Sequence, residues 1–213
     1  MTKELLEAYQ NKKSEICKRL EEFRAVLEKS DEKIFSELAF CILTPQSKAT
    51  TSWNAVQALE RRNLLLKGSI EQIRPFLQAV RFPGNKSRYL VEARKLFTEN
   101  GSLNIKERLS SAKDNPVLLR EWLLENVKGL GMKETSHFIR NVGLSDNRLA
   151  ILDVHILKNL KEFGVIEEIP KSLTKKKYLE IESKMKKFAD KIGVTLDELD
   201  ILLWSKETGI IFK

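Results

Sequence analysis

The sequence predicts an all-α fold of about ten helices joined by short connections. Three observations carry this. Apolar residues recur at helical spacing almost throughout the chain. Most glycines and prolines fall between those segments rather than inside them. No set of alternating β-branched runs suggests a sheet.

In chain order, Leu5, Leu6, Tyr9, Ile16, Leu20, Phe23 and Leu27 recur as one helical face, and Ile34, Leu38, Cys41 and Ile42 as a second. Further helices are expected over 48–61, 70–80, 85–99, 117–126, 132–142, 154–163, 174–192 and 196–205. Pro45, Gly68, Pro83-Gly84, Gly101, Pro116, Gly129, Gly131, Gly164, Pro170 and Gly193 separate them. Pro75 is the exception, and it suits the first turn of a helix shorter than 70–80. Without an internal repeat or a low-complexity linker, residues 1–213 read as one unit. Two lobes with a cleft between them are compatible with this layout.

A chain of 213 residues buries roughly 70% of the surface its unfolded form exposes, so it needs no disulfide or metal to fold. Hydrophobic residues at 42% and charged residues at 32% exclude a disordered chain. No apolar run approaches the length of a membrane span, so no membrane partner is expected. The N-terminal Met-Thr-Lys-Glu-Leu-Leu-Glu is unlike a targeting peptide, and a cytoplasmic location is the default. Cys17 and Cys41 form neither a CxxC pair nor a zinc-like cluster and read as reduced core thiols. With two cysteines and two histidines, His137 and His155, no metal site is expected.

The formal charge of +8 points to a polyanionic partner. It is unevenly spread: residues 1–33 balance eight basic against eight acidic side chains, whereas 171–191 hold eight lysines against Glu180, Glu182 and Asp190. A solvated lysine-rich helix face would read the same way.

The most informative stretch runs from Leu123 to Arg140. One helix ends at about Val127, Gly129-Leu130-Gly131 makes a tight turn, and a second helix begins near Met132. Two glycines permit positive φ and a close approach of another backbone. Amides of a Gly-rich turn opening a helix can cradle a phosphate, with Leu130 plugging the hairpin, and such contacts hold DNA without reading its sequence. An ordinary αα-hairpin reads the same from Gly-x-Gly alone. Lys133 lies just inside the second helix, and 20 residues later Asp153 follows the apolar run from Leu149 to Leu152. A desolvated amine can attack C1′ of a sugar and form a Schiff base while a carboxylate stabilises the positive charge developing there. Taken singly, Lys133 also suits an exposed helical lysine and Asp153 an N-cap.

Together, Gly129-Leu-Gly-Met-Lys133-Glu-Thr-Ser-His137-Phe-Ile-Arg-Asn141 and Ile151-Leu-Asp153-Val-His155 resemble the helix–hairpin–helix DNA glycosylases, and among them the type-2 8-oxoguanine DNA glycosylase/AP lyases. The resemblance runs from about Phe35 to the end. It implies a fold of two helical lobes with the lesion pocket in the cleft between them and the hairpin at about 117–142. It also implies excision of 8-oxoguanine followed by β-elimination, with Lys133 as nucleophile and Asp153 as the essential aspartate. The chain lacks the cysteine cluster of the endonuclease III branch, which argues against membership there.

Other positions match the family less sharply. Gln46, in Leu43-Thr-Pro-Gln-Ser-Lys-Ala, resembles the polar wedge that fills the gap left by a flipped base. In Arg81-Phe82-Pro-Gly-Asn-Lys86-Ser-Arg88-Tyr, Phe82 is a candidate to stack on the extruded base, and Lys86 and Arg88 are candidate phosphate contacts or solvated charges. Trp204 is a candidate for the other stacking face, with a core tryptophan as the alternative. Lys213, including a carboxylate, is implied to reach the lesion: 8-oxoguanine carries an N7–H donor where guanine has an acceptor, so an oxygen placed there favours the lesion. Asp200 also falls near this pocket. The resemblance implies duplex DNA containing 8-oxoguanine or abasic sites as partner, a monomer, and no cofactor. A non-catalytic hairpin module that only clamps phosphate, and a related glycosylase for another lesion, are the competing readings.

Overall fold

The computed structural model describes residues 2–111 and 114–213; Met1, Ala112 and Lys113 lie outside it. The described chain is helical, as the sequence predicts, apart from one minute ribbon. Its helices are α1 (Thr2–Arg24), α2 (Asp31–Leu43), α3 (Ala49–Arg61), α4 (Leu64–Lys67), α5 (Ile70–Ile73), α6 (Pro83–Leu96), α7 (Ile105–Ser110), α8 (Pro116–Asn126), α9 (Met132–Asn141), α10 (Val154–Glu162), α11 (Lys175–Ile192) and α12 (Leu196–Thr208). No helix among the described residues is long and apolar enough to cross a membrane.

Local chemistry sets the boundaries. Ser69 and Gln72 form a capping box that starts α5, as Thr195 and Glu198 do for α12. Gly193 and Gly209 end α11 and α12 at φ +72° and +78°.

Two expectations are corrected. The helix over 70–80 is the single turn of α5 followed by a 3₁₀ turn, Arg74–Leu77, because Pro75 cannot donate into a continuing α-helix. The helix over 85–99 stops at Leu96. Asn100 and Gly101, both at positive φ, turn Thr98–Glu99 back onto Ser102–Leu103 as a two-stranded antiparallel ribbon.

The apolar side chains form two clusters. One gathers Phe35, Phe40, Val56, Leu90, Leu119, Leu123 and Phe138 from α2, α3, α6, α8 and α9. The other gathers Ile16, Phe23, Ile156, Tyr178, Met185 and Leu199 from α1, α10, α11 and α12, so the first helix packs with the last three. Cys41 is buried in the first cluster, whereas Cys17 is half-buried, with its thiol 3.7 Å from Glu198 Oε1. A fully buried salt bridge spans the two clusters: Arg120 of α8 donates to both carboxylate oxygens of Glu182 of α11, at 2.7 and 3.0 Å.

Candidate active site

The hairpin predicted around Gly129 is present, and its two glycines serve different ends. Gly129 has φ +90°, and a Cβ there would lie 2.6 Å from the Tyr89 ring, so both conformation and space require glycine. Gly131 has φ −102° and needs no glycine on conformational grounds, contrary to expectation. Leu130 packs against the first apolar cluster and Met132 against the second, so the turn straddles both. The Gly131 N–H donates to Glu134 Oε2 at 3.2 Å, so one of the amides expected to face a phosphate is already capped within the chain.

Glu134 also pairs through Oε1 with Lys133 Nζ at 2.9 Å, on a lysine side chain 25% exposed. This carboxylate steers the predicted nucleophile, and nothing in the Gly-x-Gly reading singled it out. Its signal was present as a glutamate three residues into a helix.

Asp153 lies across the same cleft, at the end of a firmly held extended run. The Tyr178 hydroxyl donates to Ala150 O at 2.6 Å and accepts the Leu152 N–H at 3.2 Å, while the Ala150 N–H donates to Glu182 at 2.7 Å. Asp153 Oδ1 then accepts the Ile156 N–H at 2.8 Å and caps α10. Capping and cleft lining thus coexist, and the helix end fixes the carboxylate's orientation.

Lys133, Asp153, Asp200, Trp204 and Lys213 all line one cleft of about 790 Å³, with Gln46, His137, Arg140 and Phe212. That volume suits a nucleobase-sized ligand with its sugar. Trp204 and Phe212 are stacked, with ring centroids 6.4 Å apart and planes 28° from parallel. Asp200 is buried against Arg140 at 3.2 Å. Burial pushes its carboxyl up to about 7, with the Asp153 and Asp197 charges adding to the rise, although the Arg140 guanidinium pulls the other way. His137 is buried with Nε2 unpartnered. Burial, then the Arg140 and Lys133 charges, holds its imidazole well below the usual histidine range, so it is neutral at physiological pH.

Gln46 is exposed at φ +56°, on a loop at the cleft. Lys86 is not a surface charge, which corrects its expected role as a phosphate contact. It is 3% exposed, and its ammonium donates to Leu43 O and Pro45 O, each at 2.7 Å, and to Ser47 Oγ at 3.1 Å. It is the strut beneath the Gln46 loop, and burial lowers its pKa to about 8. Arg88 is exposed and bonds Asn85 Oδ1 at 2.7 Å. Phe82 does not line the cleft: it is 47% exposed at φ +58°, with the Arg81 guanidinium 5.2 Å from its ring. Phe212, the aromatic that does stack beside Trp204, escaped the sequence reading because nothing local marks a phenylalanine beyond the last helix.

Comparison with known proteins places these features together. A family model described as 8-oxoguanine DNA glycosylase matches residues 16–194. An 8-oxoguanine DNA glycosylase/AP lyase of Fusobacterium nucleatum is 45% identical over 213 residues, covering 99% of this chain and 96% of that protein. One from Methanocaldococcus jannaschii is 38% identical, covering 93% of this chain and 91% of the relative. Among solved structures, the M. jannaschii 8-oxoguanine glycosylase/lyase in complex with a 15mer DNA containing 8-oxoguanine aligns with a TM-score of 0.89 at 36% identity, covering 100% of this chain and 99% of that one. The 8-oxoguanine DNA glycosylase of Thermotoga maritima aligns with a TM-score of 0.86 at 33% identity, covering 100% and 98%.

Proposed function

The chain belongs to the 8-oxoguanine DNA glycosylase/AP lyase family, and on that premise we propose how its residues divide the work of a bifunctional base-excision repair enzyme acting on DNA that contains 8-oxoguanine. The observation that carries the assignment is the convergence of Lys133, Asp153, the Trp204–Phe212 stack and Lys213 on one cleft beside the hairpin.

The hairpin Gly129-Leu130-Gly131 holds the DNA backbone, with exposed Arg88 as a further phosphate contact. Gln46 projects from the loop that Lys86 supports and fills the space left in the duplex when the damaged nucleotide swings out. The extruded base enters beside Trp204 and Phe212. The tail at Lys213 offers an oxygen acceptor to the N7–H that only the oxidised purine carries, and guanine would meet that oxygen with a lone pair. Asp200 lies at the same wall. Phe82, outside the cleft, belongs to the duplex-facing edge: the Arg81 N–H beside it donates to Ser47 Oγ of the Gln46 loop at 3.0 Å.

The amine of Lys133 attacks C1′. The C1′–N bond to Lys133 forms as the N-glycosidic bond breaks, and the base leaves with its electron pair and takes up a proton. Asp153 stabilises the positive charge that develops on the sugar. Ring opening gives the imine, which acidifies the C2′ proton. Loss of that proton expels the 3′ phosphate and cleaves the strand. None of these steps calls on a cofactor. The two apolar clusters correspond to the two lobes, and the protein acts as a monomer on chromosomal DNA in the cytoplasm.

Borohydride reduction tests the assignment. On a duplex containing 8-oxoguanine the wild type should give a covalent protein–DNA band, and Lys133→Gln should give none while still binding the lesion. A band that survives the substitution places the nucleophile elsewhere. No band from the wild type on either lesion or abasic duplex supports the phosphate-clamp alternative.

A further inference from the structure

The last residues cross from one apolar cluster to the other. Trp204 and Ile211 pack on the second cluster, while Phe212 packs on the first, with its ring 6.3 Å from Phe40. Lys213 ends this path with its ammonium on α2 and α3, far in sequence from the helix that launches the tail. There the ammonium pairs with Glu37 and lies 3.8 Å from the centroid of the Trp53 ring, with the Phe40 ring 5.8 Å away. Both partners of the ion pair are nearly buried, their side chains 11% and 8% exposed. Glu37 is itself held from behind, since Asn141 Nδ2 donates to its Oε2 at 3.2 Å. Asn141 accepts in turn from Arg140, whose guanidinium pairs with Asp200. A socket of one carboxylate and two aromatic rings, attached to the cleft wall by a chain of buried hydrogen bonds, therefore grips the lysine side chain.

We infer that Glu37, with Trp53, is a positioning residue for lesion recognition: it anchors the Lys213 ammonium so that the tail lies as a strap across the cleft with its main chain facing the extruded base. The side chain of Lys213 is in this account a tether, and its charge is spent on the socket rather than on the base. The His137 imidazole and Lys213 both line the cleft, so the tail reaches the pocket wall at this end. The inference rests on the proposed role of Lys213 in recognising 8-oxoguanine.

The test is a double-mutant cycle with Glu37→Gln, Lys213→Met and the double variant. Excision of 8-oxoguanine relative to guanine is the readout, with cleavage of a pre-formed abasic site by each protein as reference. Each single variant should lose about tenfold in the excision ratio, a coupling within the range known for contacting residues, and the double variant should lose no more than either alone. Trp53→Leu, which leaves the ion pair intact, should give a smaller loss in the same ratio. Should Lys213→Met leave the ratio unchanged, the role of the tail in recognition is overturned, and the inference with it. Should Lys213→Met lower the ratio while Glu37→Gln does not, or should the two losses simply add, Glu37 is no anchor and only this inference falls. Equal losses on lesion and abasic substrates would make the socket purely structural and overturn it as well.

Discussion

At Asp200, burial and an ion pair pull in opposite directions, and burial wins: the carboxyl rises to about 7 although Arg140 is 3.2 Å away. The consequence for stability has a definite sign. The unfolded chain releases this proton near the ordinary aspartate value of about 4, whereas the folded chain keeps it until about 7. The contribution of Asp200 to stability is therefore whole below about pH 4, drains as pH rises, and is gone above about 7. Asp200→Asn should flatten the dependence of urea-unfolding free energy on pH across this window, by a slope of up to about one proton. An unchanged slope would mean that Arg140 keeps the carboxylate ionised throughout. Lys86 shows the limit of reading single residues. Its neighbours in sequence are surface-like, and only the turn of the Gln46 loop brings Leu43 and Pro45 carbonyls over its ammonium. Lys133 and Asp153 could be singled out in the sequence because they stand within stretches that resemble the family's motif, and both line the cleft. Glu37, Trp53 and Phe212 were not, since they meet the site only through tertiary packing.

Among elements, the hairpin between α8 and α9 makes the sharpest demand on sequence. Gly129 sits at φ +90° against the face of Tyr89, while Gly131 has an ordinary φ and a flexible carboxylate 3.0 Å from where a Cβ would stand. Gly129→Ala should therefore cost about 1–3 kcal/mol of stability and weaken binding to undamaged duplex. Gly131→Ala should be milder on both counts. Thermal melts and DNA titrations of the two variants check the order, and the reverse order would place the tight contact at the second glycine. Sequence periodicity located the long helices within a few residues, as for Pro116–Asn126 and Met132–Asn141. It failed on α4, on α7 and around Pro75, where elements of one or two turns carry too few residues to show a period.

For the molecule as a whole, the two apolar clusters need a fixed mutual position, because the cleft takes residues from both. Arg120 and Glu182 tie the two together. Arg120 is fully buried and bonds Ser136 of α9 as well as Glu182, and Glu182 also accepts the Ala150 N–H of the run that leads to Asp153. Removing one partner strands a buried charge. Arg120→Ala should therefore cost about 3–5 kcal/mol in chemical denaturation, and excision should fall with it as Asp153 loses its support. A loss below about 1 kcal/mol would show that water reaches Glu182 and replaces the pair. Neither Arg120 nor Glu182 is marked in the sequence: each is one charge among many on an amphipathic pattern, and only the tertiary fold, which brings their side chains together beside Ser136 of α9, removes both from solvent.

Cys41 lies fully buried in the first cluster, near enough to Glu37 and Glu134 to feel their charges. Burial first, and then the Glu37 and Glu134 carboxylates, push its thiol well above the usual cysteine value. Peroxide attacks exposed thiolates, not shielded thiols. The fold thus keeps this one sulfur protonated and out of reach, in a form that peroxide does not readily oxidise.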